Sequence, residues 1–169
     1  MFEIGEHIVY GTNGVCLVTD ICPSPFDKRD ERMYYVLKPI SGPVAAVIYT
    51  PVDNDRVPMR RLLSAEQIEG LLSRIPSIPP LSIAVEKTRR DTYRAAMSAA
   101  DPDVYVSLIK TVLDHRAEIA ITGRRLPDFE IEYDTLAKRH LYTEISVILG
   151  LSMDEMDAYI AKYIEASEV

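Results

Sequence analysis

The chain has 169 residues, of which 47% are hydrophobic and 27% charged, and it carries a net charge of −7. That length suits one or two small domains with a sizeable core, and the composition is ordinary for a globular protein. No apolar run nears the ~20 residues that cross a bilayer, and the acidic balance argues against strong, autonomous binding to a duplex.

Residues 1–61 read as all-β. In Met1–Cys22, apolar residues alternate before a turn (Phe2, Ile4, Ile8, Tyr10) and after it (Val15, Leu17, then Thr19 and Ile21). A period of two is what a half-buried strand needs, because successive side chains point to opposite faces. Gly11-Thr12-Asn13-Gly14 supplies residues that tolerate positive φ at the reversal. A Pro-rich, charged loop over residues 23–30 follows, then a strand predicted from Arg32 to Ile40. The turn Ser41-Gly42-Pro43 leads to a strand from Val44 to Thr50, and Asp53-Asn54-Asp55 to a short closing strand from Val57 to Leu62. Five short strands in about sixty residues suggest a small SH3-like or Tudor-like β-barrel.

Ser64 and Gln67 fit a capping box for a helix reaching about Ser73. Three prolines (Pro76, Pro79, Pro80) then break the chain, so residues 62–80 read as a short helix and a stiff, Pro-rich linker. Residues 81–169 read as an all-α domain, making the whole an α+β, multi-domain protein. Its first helix is predicted from about Ser82 to Ala99. Asp101-Pro102 offers an N-cap and a first-turn proline for the next, which carries Val104, Leu108, Val112 and Ile119 and ends near Gly123. Pro127-Asp128 opens a third helix with the stripe Tyr133, Leu136, Ala137, Leu141, Ile145, Ile148 and Leu149, closed by Gly150. Ser152 and Glu155 form a second capping box, opening a last helix to about Ile164.

Catalysis is not expected. Asp101 and Asp103 read as a helix cap, Glu130, Glu132 and Asp134 as acidic residues near the start of a helix, and His115 and His140 as solitary side chains. No phosphate-cradling glycine loop or nucleophile elbow is present. Cys16 and Cys22 would lie roughly 20 Å apart on one strand, too far for a disulfide. With the histidines scattered, no metal or cofactor is expected. The start shows no basic segment followed by an apolar stretch, so a cytoplasmic protein is expected.

The opening pattern M-F-x-x-G-(D/E)-x-(V/I)-V-Y-x-x-x-G-V-x-x-(V/I) is carried by Met1, Phe2, Gly5, Glu6, Ile8, Val9, Tyr10, Gly14, Val15 and Val18. It resembles the start of the CarD/CdnL family, bacterial transcription regulators that bind RNA polymerase and share this domain with transcription-repair coupling factor. The likeness continues through residues 34–38 and 47–51 and resumes more weakly at residues 93–97. The resemblance implies that the barrel docks on the polymerase β subunit by strand addition, through Val47, Ile48, Tyr49, Thr50 and Pro51. Some relatives carry an arginine at the position of Tyr49.

The resemblance also implies that cations of the helical domain hold promoter DNA phosphates without reading sequence and so modulate open-complex stability. The candidates are Lys87, Arg89, Arg90, Arg94, Arg124, Arg125, Lys138 and Arg139. Many relatives place a tryptophan wedge four residues before the tyrosine matching Tyr93; this chain has no tryptophan, and Arg89 stands there. Either Arg89 substitutes as a cation, or the wedge is missing. Residues 81–169 hold 11 basic and 16 acidic side chains. DNA contact therefore depends on tethering by the polymerase, and the alternative is a polymerase-binding adaptor without DNA. No membrane or small-molecule partner is expected.

Overall fold

The computed structural model describes residues 1–42 and 46–165, and divides the chain into two units, Met1–Leu62 and Leu63–Val169. In the first, the alternating segments form strands β1 (His7–Tyr10) and β2 (Val15–Pro23). They are joined by one tight helical turn, Gly11–Asn13. Gly11 has φ +45°, and a Cβ built on it would stand 2.5 Å from Val57 Cγ1, so both backbone and space require glycine.

β3 (Met33–Pro39), β4 (Ile48–Pro51) and β5 (Met59–Arg61) complete an antiparallel sheet in the order β4-β3-β2-β1-β5. The registers set Ile8 against Cys16, Ile21 against Tyr35 and Tyr35 against Thr50. An irregularity between Val18 and Asp20 frees Thr19, whose hydroxyl donates to the Val36 carbonyl at 3.0 Å. The inner face is built from Ile8, Tyr10, Cys16, Val18, Tyr35 and Leu37. Burial pushes the Cys16 thiol up to about 12, as for an inert core residue.

This sheet corrects two expectations. Among the described residues β4 and β5 do not pair, so the expected SH3- or Tudor-like barrel is an open five-stranded sheet with two margins. The strand predicted from Val44 begins only at Ile48; Ala46 and Val47 lie outside it, and Pro43 and Val44 fall outside the described residues.

In the second unit, Ser64 caps helix α1 (Ala65–Arg74) with both bonds of the capping box in place. The segment read as a Pro-rich linker belongs to this unit's core. After α1 the chain makes one tight turn, Ile75–Ser77, and Ile68, Leu71, Leu72, Ile75 and Ile78 are all buried in the helical cluster. Prolines fix φ and end the helix, but they leave the intervening isoleucines free to point inward.

Helix α2 spans Arg89–Ser98, later than predicted. Residues 81–85 are held off the helix because the Leu81 amide donates to Thr111 Oγ1 at 2.8 Å, and a single turn at Glu86–Thr88 precedes α2. Helix α3 (Pro102–Ile121) starts as its sequence demands, with the Asp101 carboxylate accepting the Asp103 amide. Helix α4 (Asp128–Leu149) ends at Gly150 with φ +67°, a left-handed cap. Helix α5 spans Met153–Glu165. Leu108, Val112, Ala137, Leu141, Ile145, Met156 and Ile160 bring α3, α4 and α5 into one core. No helix among the described residues is long and apolar enough to cross a membrane.

Candidate functional site

Two places concentrate groups able to act on a partner. The first is the β4 margin. Its alternation turns Thr50 inward, where it is buried, and Tyr49 outward, where it is 39% exposed. Ile48 and Pro51 are half-buried, and Val47, just before the strand, is exposed. The Pro-rich loop folds over the outer face beside Tyr49. Ser24 Oγ accepts the amides of Phe26 and Asp27 and shapes the reversal. The Phe26 ring then stands edge-on to Tyr34 and Tyr49, with centroids 6.0 and 5.7 Å away. Phe26 itself remains 72% exposed.

A polar brace fixes this corner. Arg32 donates to Asp30 through two nitrogens at 2.9 and 2.8 Å, and the Tyr34 hydroxyl donates to the same carboxylate at 2.9 Å. Arg32 holds the Asp30 carboxyl well below the usual carboxylate range. Among the described residues the margin therefore offers unpaired backbone along β4, flanked by the exposed apolar side chains of Phe26, Val47 and Tyr49. Such an edge accepts an extended polypeptide as an added strand. The aromatic contact with Phe26 was not visible in the sequence, because a loop residue's landing place depends on the fold.

The second place is the base of α2, and it differs from expectation. Arg89 is not a free cation: its guanidinium side chain is only 11% exposed. It donates twice to Glu86, at 2.8 Å each, and to the Tyr93 hydroxyl at 3.2 Å. Behind it lies Glu130 of α4, fully buried, 3.8 Å from Arg89. Tyr93 Oη donates to Glu130 at 2.8 Å, and His115 Nδ1 of α3 meets its other oxygen at 2.8 Å. Burial pushes the Tyr93 phenol upward, which keeps it a donor. Glu86, His115 and Glu130 bring ligand atoms within 4.8 Å of one another, a set able to hold a metal ion. Arg89 already supplies the positive charge there, so the arrangement is complete as an ion-paired weld of α2, α3 and α4.

The other predicted cations are scattered. Arg90 lies over the Phe129 ring at 4.7 Å. Arg94 pairs with Asp91 at 3.2 Å, both well exposed. A shallow groove of about 350 Å³ places Arg90 and Arg94 beside Phe129 and Tyr133. Lys87 and Arg125 are exposed, as is Arg124, which donates to Thr122 Oγ1 at 3.1 Å; Arg139 is half-buried. Lys138 is half-buried and paired with Asp134 at 2.9 Å. Arg90 and Arg94 share one groove.

The sheet unit is thus a small antiparallel sheet whose β4 margin, unpaired among the described residues, lies beside the exposed rings of Phe26 and Tyr49. Residues 2–63 match the CarD-like/TRCF RID domain, so the sheet unit belongs to that family of RNA polymerase-interacting domains. A search of curated proteins finds no match to the chain.

Proposed function

We propose that the protein is a bacterial, CarD-like transcription regulator whose sheet unit docks on the RNA polymerase β subunit through β4. The observation that carries this reading is the β4 margin, unpaired among the described residues, in a domain of the CarD-like/TRCF RID family. Val47, Tyr49 and Phe26 supply specificity beside the backbone bonds, and Ile48, Thr50 and Pro51 supply the strand itself.

The helical unit then lies against promoter DNA and modulates open-complex stability, with Arg90, Arg94, Lys87, Arg124 and Arg125 meeting phosphates. Tethering raises their effective concentration at DNA, so individually weak contacts suffice in an acidic protein. Arg89 acts from inside, by fixing the base of α2. The adaptor reading without DNA draws on a specific observation: two of the eight expected cations, Arg89 and Lys138, are held in internal pairs.

The test is binding of the full chain to a purified polymerase β lobe, with Tyr49→Asp and Val47→Asp introduced together. At least a tenfold loss of affinity is expected, and unchanged affinity overturns β4 docking. Promoter-complex lifetime with Arg90→Ala/Arg94→Ala separates the two readings. A shorter lifetime supports DNA contact, and an unchanged one selects the adaptor.

A further inference from the structure

A groove of about 380 Å³ lies among α3, α4 and α5 of the helical unit, away from every residue proposed above except Lys138. Its floor is apolar, formed by Ile109, Leu113, Ala117, Ala161 and Ile164. A second hollow of about 290 Å³ shares Leu113, Asp114 and Ile164 with it and is walled by Pro76, Pro79 and Pro80. The two form one continuous furrow.

Three features give this furrow a preference. Its lining includes the carboxylates of Asp114, Asp157 and Glu165, all on exposed residues. Its two cations are already engaged. Lys138 is bound to Asp134 at 2.9 Å. Lys110 Nζ donates to the carbonyls of Ile75, Pro76 and Ile78 at 2.6, 3.3 and 2.9 Å. The surface is therefore apolar below and negative at the rim, which repels nucleic acid.

The wall is also stiff. Lys110 pins the carbonyls of the proline segment, and the prolines fix their own φ. A preformed furrow loses little conformational freedom when filled.

We propose that this furrow is a docking site for a partner polypeptide that presents an aliphatic anchor flanked by lysine or arginine. The aliphatic side chain fills the floor over Leu113 and Ala117, and its basic neighbours meet Asp114 and Glu165. This inference does not rest on the polymerase reading.

The test uses the full chain with methyl-labelled leucine, isoleucine and alanine, titrated with the peptide Ac-RLLKA-NH2. Ac-ELLEA-NH2 and Ac-RSSKA-NH2 are the charge-reversed and anchorless controls. Saturable shifts at the methyls of Leu113, Ala117 and Ala161 are expected with the first peptide, at least tenfold tighter than with either control. Asp114→Lys and Glu165→Lys, at exposed positions, should each weaken it at least threefold with an unchanged far-UV spectrum. Equal response to the acidic control, or no shift at these methyls, overturns the proposal. So do shifts that depend on protein concentration without peptide, which assign the furrow to a second copy. Shifts produced by deleting residues 166–169 assign it to the chain's own end and likewise overturn it.

Discussion

Arg32 in the sheet unit and Arg89 in the helical unit make nearly the same bond: each grips a carboxylate close in sequence through two nitrogens, at 2.9 and 2.8 Å for Arg32 and at 2.8 Å twice for Arg89. Their surroundings differ. The Arg32 side chain is 55% exposed and braces a surface corner, while that of Arg89 is 11% exposed and backs onto the fully buried Glu130. An exposed pair contributes ~0–1 kcal/mol, whereas removing one partner of a buried network leaves uncompensated polar groups. Among the described residues the sheet unit buries no carboxylate, lysine or arginine, and it presents backbone at β4. The helical unit draws charges inward, so part of its apparent cationic surface is structural.

The strongest way to break this comparison is Glu130→Ala. It strips Tyr93, His115 and Arg89 of their common partner and should cost about 4 kcal/mol, read by urea unfolding. A loss below about 1 kcal/mol would make the cluster no more than a surface pair.

Acid should sharpen the contrast next. His140 is buried in α4, with Nδ1 lacking a hydrogen-bond partner among the described residues. Burial first, then Arg139, push its pKa from 6.5 down to about 4. The unfolded chain therefore binds the extra proton between those values, so this contribution to stability is complete above pH 6.5 and lost as pH falls toward 4. The loss is roughly 3 kcal/mol at pH 4. His140→Gln should flatten that part of the stability–pH curve, and an unaltered slope would remove His140 from the account.

Gly11→Ala should cost roughly 2 kcal/mol through a positive φ and a clash with Val57, read as lost sheet-unit stability. The smallest effect belongs to Arg32→Ala: its pair is exposed, so no resolved change is expected in thermal melting. A resolved loss there would erase the distinction between the two arginines.

Local features were legible in the sequence because their causes are local. Ser64 with Gln67, Asp101 with Pro102, and Gly150 each act within one turn, and each stands where its residue type demands. The unpaired edge at β4 was expected only through the family resemblance, since whether β4 meets β5 depends on curvature accumulated across strands far apart in the chain. The proline segment was misread for a related reason: its backbone preference is local, but the burial of Ile75 and Ile78 is decided by α3 and α4. Arg89 shows the limit at the candidate site. Glu86 lies within sight of it in sequence, but Glu130 and His115 arrive from other helices, and no spacing rule connects them.

The two cysteines, one sealed and one half-covered, turn the sheet unit into its own gauge. Cys16 has no exposed surface and a thiol that resists ionisation, whereas Cys22 near the end of β2 is partly accessible. An alkylating reagent should therefore tag Cys22 promptly and reach Cys16 only when the strands part. The delay between the first and second labels measures how often the sheet unit breathes, without a probe being introduced.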